Sequence, residues 1–222
     1  MPRKVLHHGD EDLHKNEQLE IENRLMILRE NEASEHYKCS HYLSSANRRT
    51  KAEVKVWRQW YIKWMFNVAD HFRLGRSVVS HAVAYLDKFA SEDHSVLSSK
   101  DEFTVLAITS LYMAVKVYST LENASAICAR NLVLLTEGKF VEEDILRMER
   151  RLLDTFQWKL YPPTSVCFLR EYVQLLPFDI TVTSNLAELS QFIIEISVTK
   201  YTYVKYPPSV KAYAALSIAL DC

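Results

Sequence analysis

The sequence predicts an all-α protein, and three observations carry that prediction. Glycine supplies only 3 of 222 residues and proline 6, well below the turn-rich composition of sheet proteins, whose hairpins draw on glycine, asparagine and proline. No proline stands between Pro2 and Pro162, so a long stretch lacks the residue that most reliably interrupts a helix. Along that stretch apolar residues recur at the three-and-four spacing of one helix face. With 48% apolar and 25% charged residues the chain has the apolar mass for a substantial core.

Residues 10–35 carry nine acidic and three basic side chains, with Leu13, Leu19, Ile21, Leu25, Met26 and Leu28 as a modest apolar stripe. They read as an N-terminal helix ahead of the main domain. Residues 38–58 reverse the sign, with six basic residues against Glu53, and Ser40, Ser44, Ser45 and Asn47 predict a loop into the next helix. Residues 52–74 form the first helix of the domain, apolar on most of its circumference and so placed at the centre of a bundle, with Gly75 as its stop. A second helix covers 76–90. The third runs to Val117, with Asp101 and Glu102 at its positive end. A short fourth spans 124–135, and a fifth spans 141–156 behind Gly138, led by Glu142, Glu143 and Asp144. Pro162 and Pro163 mark a boundary, after which the pattern restarts with helices over 166–176, 186–198 and 210–220. The expected division is an extension over 1–50, a five-helix unit over 51–161 and an incomplete second unit over 162–222.

Composition excludes several functions. Gly9, Gly75 and Gly138 lie far apart, so no glycine-rich loop cradles a nucleotide phosphate. Basic and acidic residues balance at 27 and 28, leaving no overall field for nucleic acid or an anionic membrane. Cys39, Cys128, Cys167 and Cys222 form no CxxC pair, so neither a zinc site nor a disulfide scaffold is expected. His7, His8 and His14 sit in a charged tail that is not read as a metal site, and the Arg3 to Leu6 spacing of a degradation signal carries no weight alone. The longest uncharged apolar run, residues 103–115, is too short to span a bilayer. No DDxxD run or His-Asp dipeptide marks a helical metalloenzyme. The expectation is a soluble, intracellular protein without cofactor or metal, whose partners are proteins.

Five segments then resemble one family. WRQWYIKW, with Arg58 and Trp64, is similar to the opening of the cyclin box, and AYLDKFAS, with Asp87, to its second helix. LYMAVKVYS, with Lys116, resembles the end of the third helix, and ILRMERRLLDTFQWKLYPPTS, with Glu149, Trp158 and Leu160, the fifth helix and exit into the second box. YPPSVKAYAALSIAL resembles the third helix of that second box. The resemblance covers roughly residues 20–222 and implies a cyclin fold: a five-helix first box, an incomplete second box and an N-terminal helix.

It also implies a function. A cyclin has no active site; it docks on a cyclin-dependent protein kinase and holds the kinase C-helix inward. Lys116 and Glu149 would anchor that helix, with Val117, Trp158 and Leu160 as apolar contacts, while Arg58 and Asp87 would form a buried structural ion pair. Trp57, Trp60, Tyr61 and Trp64, read as core by spacing, also line with Asn67 and Thr104 a candidate groove for kinase substrates or inhibitors. Asn67 and Thr104 stand where groove-bearing cyclins carry an acidic residue and glutamine. Lys63 replaces a common acidic residue, and Val117-Tyr118-Ser119 replaces a phenylalanine followed by two acidic residues, which points to a divergent subtype. The expected location is nucleus and cytoplasm. The rival is a cyclin-fold transcription factor binding DNA or the transcription machinery, for which net charge −1 and unpaired cysteines supply neither basic face nor zinc ribbon.

Overall fold

The computed structural model describes residues 8–119, 127–134, 136 and 138–222. Arg3, Leu6 and His7, and residues 124–126 and 135 of the expected fourth helix, lie outside this set. The described helices are α1 (His8–Ala33), α2 (Arg48–His71), α3 (Ser77–Glu92), α4 (Lys100–Tyr118), α5 (Ala129–Leu134), α6 (Glu142–Thr155), α7 (Ser165–Gln174), α8 (Ile180–Val198) and α9 (Pro208–Leu220). Single 3₁₀ turns cover His94–Leu97 and Tyr201–Tyr203. Among the described residues there is no strand.

The starts follow capping chemistry. Asn47 accepts the Thr50 N–H at 2.9 Å and opens α2, Ser99 caps α4, Thr164 caps α7, and the Asp179 carboxylate accepts the N–H groups of Thr181 and Val182. Asp179 corrects one boundary, since α8 begins at Ile180 and not near residue 186. The loop expected over 38–58 likewise ends at Asn47. Pro207 and Pro208 fix the first turn of α9.

The ends are less orthodox. Gly75 does not stop α2. The helix closes two residues earlier, where Arg73 takes φ 53° and the Leu74 N–H reaches back to the Ala69 carbonyl at 2.8 Å. α6 ends the same way, with Gln157 at φ 48° and the Trp158 N–H on the Leu153 carbonyl at 3.1 Å. In both, a residue with a side chain holds the left-handed position that glycine ordinarily fills.

Packing also corrects the expected centre. α4, not α2, is turned inward on nearly every side from Phe103 to Val115, and α3 and α6 lie against it. α2 buries Val54, Tyr61, Ile62, Met65 and Ala69 but leaves Val56 and Trp60 in solvent. Each such large side chain removed from water contributes about 1.5–3 kcal/mol. A second core joins Val166, Phe168 and Leu169 of α7, Ile194 of α8, and Ala212, Ala215 and Leu216 of α9. Ile21 and Leu25 of α1 complete it, so the N-terminal helix packs on the second helical unit. Among the described residues no helix is long and apolar enough to cross a membrane.

Candidate docking site

Arg58 on α2 and Asp87 on α3 meet in the interior. The guanidinium donates through Nε and Nη2 to both carboxylate oxygens at 2.7 Å and through Nη1 to the Val198 carbonyl at 2.8 Å. Arg58 is only 2% exposed, and the Tyr42 hydroxyl donates to Asp87 at 2.9 Å. Burial works against the guanidinium's charge, but Asp87 overrides it and holds Arg58 above its usual range. Burial pushes the nearby Cys39 thiol up to about 12, so it stays protonated. Tyr42 sits in a loop with no periodic pattern, and no sequence signal marks it as the third member.

Where the last turn of α4 meets the middle of α6 lies a second, accessible pair. Lys116 Nζ donates to Glu149 Oε1 at 2.7 Å, with side-chain exposures of 49% and 13%. Lys116 also lies over the Tyr112 ring, 4.9 Å from its centroid. Partial burial lowers the Lys116 pKa, and the bond and charge of Glu149 more than reverse that, leaving it raised.

Beyond Glu149 the chain leaves α6 through Gln157 and Trp158, both at positive φ. Trp158 is thereby held out at 71% exposure, while Leu160 packs back on the first core. Two hydroxyls fix this exit: Tyr85 and Tyr118 both donate to the Leu160 carbonyl, at 2.5 and 2.8 Å. Tyr118 is occupied inward as well, stacked on His81 with centroids 3.7 Å apart. Its place beyond Lys116 is therefore structural, and the adjacent Val117 is only partly buried. Neither tyrosine is distinguished in the sequence from ordinary core aromatics.

The aromatic face of α2 divides. Tyr61 is buried, Trp57 and Trp64 are partly buried, and Trp60 is 58% exposed, which corrects its reading as core. Asn67 and Lys63 are exposed. The Thr104 hydroxyl donates to the Lys100 carbonyl at 2.6 Å and accepts from the Tyr61 hydroxyl. The hydroxyls of Tyr61 and Thr104 are thus consumed by each other and by the α4 backbone. Among the described residues no group of three or more His, Cys, Asp or Glu side chains is placed to hold a metal.

The chain matches the family model described as "Cyclin, N-terminal domain" over residues 24–161 and "Cyclin, C-terminal domain" over residues 163–222. It is 28% identical to Cyclin-B2-2 of Oryza sativa subsp. indica over 158 residues, 71% of this chain and 35% of that protein. It spans about a third of the length of the curated relatives it matches. A viral cyclin from herpesvirus saimiri has the same fold, with TM-score 0.62 and 16% identity, covering 75% of this chain and 70% of the viral one. A chain of the CAK complex from Chaetomium thermophilum bound to ATP-gamma-S gives TM-score 0.56 and 18% identity, covering 76% and 53%. The N-terminal model alone takes in most of the residues, and the chain belongs to the cyclin family.

Proposed function

We propose that this cyclin is a non-catalytic regulatory subunit that docks on a cyclin-dependent protein kinase, activates it, and thereby controls cell-cycle progression in nucleus and cytoplasm. The observation that supports the reading is the accessible Lys116–Glu149 pair, together with a Trp158 held out in solvent on the exit from the same helix. Docking exchanges the partners of an accessible ion pair for polar groups of the kinase C-helix segment, and Val117, Trp158 and Leu160 add apolar area beside them. Held inward, that helix lets the kinase's own lysine and glutamate pair and its activation loop clear the cleft.

The test replaces Lys116 and Glu149 together by alanine and measures kinase affinity and thermal stability. A polar contact desolvated on docking is worth about 2–5 kcal/mol when truncated, so affinity is expected to fall roughly thirtyfold or more with little change in melting temperature. Unchanged affinity would place the docking face elsewhere. The purified chain alone is expected to transfer no phosphate.

A further inference from the structure

Between the two helical units lies a cavity of about 270 Å³, bounded by α3, α7, the end of α8, the start of α9 and the segment after α1. Its walls are apolar at Val83, Phe156, Pro162, Pro163, Ile194 and Pro207. Its two carboxylates are already saturated. Asp87 holds Arg58 and Tyr42, and Glu32 accepts the N–H and hydroxyl of Ser209 at 2.7 and 2.6 Å.

The cations outnumber them. Arg58 is engaged by Asp87, Lys38 by Glu35, and Lys88 by Glu92 and two carbonyls. Lys205 rests over the Tyr206 ring. Lys159, Lys200 and Lys211 also line the cavity, and among the described residues their ammonium groups have no hydrogen-bond or ion-pair partner. Lys211 is only partly exposed; burial lowers its pKa, and the charges of Asp87 and Glu32 offset only part of that. Burial, then the Lys159 and Lys88 charges, lower that of His36 on the same wall. Lys159 and Lys200 are exposed and only Lys211 is half-buried, so what the cavity presents is an excess of positive charge at its mouth, which an anion entering it would offset.

We propose that this cavity is a binding site for an organic phosphate, its dianion neutralised by Lys159, Lys200 and Lys211 and its body packed on Val83, Phe156 and the proline pair. A dianion meets several lysines at once, since an ammonium serves phosphate as a point charge, and the apolar walls call for more than a bare inorganic ion.

The experiment titrates the purified chain calorimetrically with phenyl phosphate, inorganic phosphate and phenol. Saturable 1:1 binding of phenyl phosphate, weaker binding of inorganic phosphate and none of phenol is the expected result. Lys159→Met with Lys211→Met should weaken it at least tenfold. The same double variant should melt no lower than the parent, because neither ammonium holds a hydrogen bond or ion pair among the described residues, so lost binding is not lost folding. A phosphotyrosine peptide binding more tightly than phenyl phosphate identifies a phosphorylated protein segment as the source; equal or weaker binding identifies a small organic phosphate. Absence of saturation, binding unchanged in the double variant, or a marked drop in its melting temperature overturns the proposal. No kinase enters the assay, so its failure leaves the docking face untouched.

Discussion

At the scale of single residues, the buried Arg58–Asp87 pair holds three segments in one place: α2, α3 and the carbonyl end of α8. Deleting the arginine would leave a buried carboxylate with Tyr42 alone, at a cost of about 3–5 kcal/mol. In a chain of this length that lowers the melting temperature by on the order of 10 °C. Arg58→Ala is therefore expected to fail in thermal stability before it fails in docking. Arg58→Lys should recover only part, since a single ammonium does not span two carboxylate oxygens and a carbonyl. His81 makes the fold sensitive to acid. Its Nδ1–H donates to the Ser77 carbonyl at 3.1 Å, leaving Nε2 to accept from the Cys167 thiol at 3.6 Å, and burial lowers its pKa to about 4. A histidine depressed in the folded state contributes stability that is present above its ordinary value of 6.5 and lost as pH falls towards 4. The loss amounts to about 3 kcal/mol at most. Urea unfolding at pH 7, 5.5 and 4.5 should show it, and His81→Phe, which keeps the stack on Tyr118, should flatten the slope between 6.5 and 4.

At the scale of elements, what was legible in the sequence depended on whether the signal was local. α3 and α6 read to within two residues of their observed bounds because an apolar stripe and, in α6, acidic first-turn residues are local facts. α2's end misread because Gly75 looks like the stop while Arg73 performs it, a choice settled by Leu74 reaching the core. The centre misread because α2 and α4 are both apolar, and only the tertiary arrangement leaves Val56 and Trp60 in water. The accessible pair and the exposed tryptophan were identified through resemblance. The tyrosines that position the exit were not, since Tyr85, Tyr118 and Leu160 come together from distant parts of the chain. The left-handed pair at 157–158 costs about 1–2 kcal/mol per residue in an L-amino acid, a strain that keeps Trp158 outside. Gln157→Gly is expected to raise stability by up to about 1 kcal/mol. Gln157→Val should lower it by a similar amount and reduce kinase affinity through Trp158, measured by denaturant unfolding and binding side by side.

At the scale of the whole molecule, α1 packs on the second unit, and the chain then crosses to build the first and returns. α1 is joined to the second unit by Arg24, which donates to Glu171 at 2.8 Å and to Gln174 at 3.3 Å, and by Glu32 at the start of α9. Glu171 is buried. Removing residues 1–33 would uncover the faces against which Ile21 and Leu25 pack, at roughly 1.5–3 kcal/mol for each side chain, and would strip the buried Glu171 carboxylate of its cation. The first unit loses none of its own core residues, since Tyr42, Leu43 and the rest of that cluster lie beyond the deletion. The ties that remain between units are Arg58 to the Val198 carbonyl, Arg76 to Glu195 and the Leu43 N–H to the Tyr201 hydroxyl, with Tyr201, Val198 and Val204 packed on the first core; none of them covers the face that α1 leaves. The expected outcome is selective: hydrogen-exchange protection falls across α7, α8 and α9 and proteolysis begins near Pro162–Pro163, while α3, α4 and α6 stay protected. Uniform protection after the deletion would show that α1 only lies on a unit already stable without it.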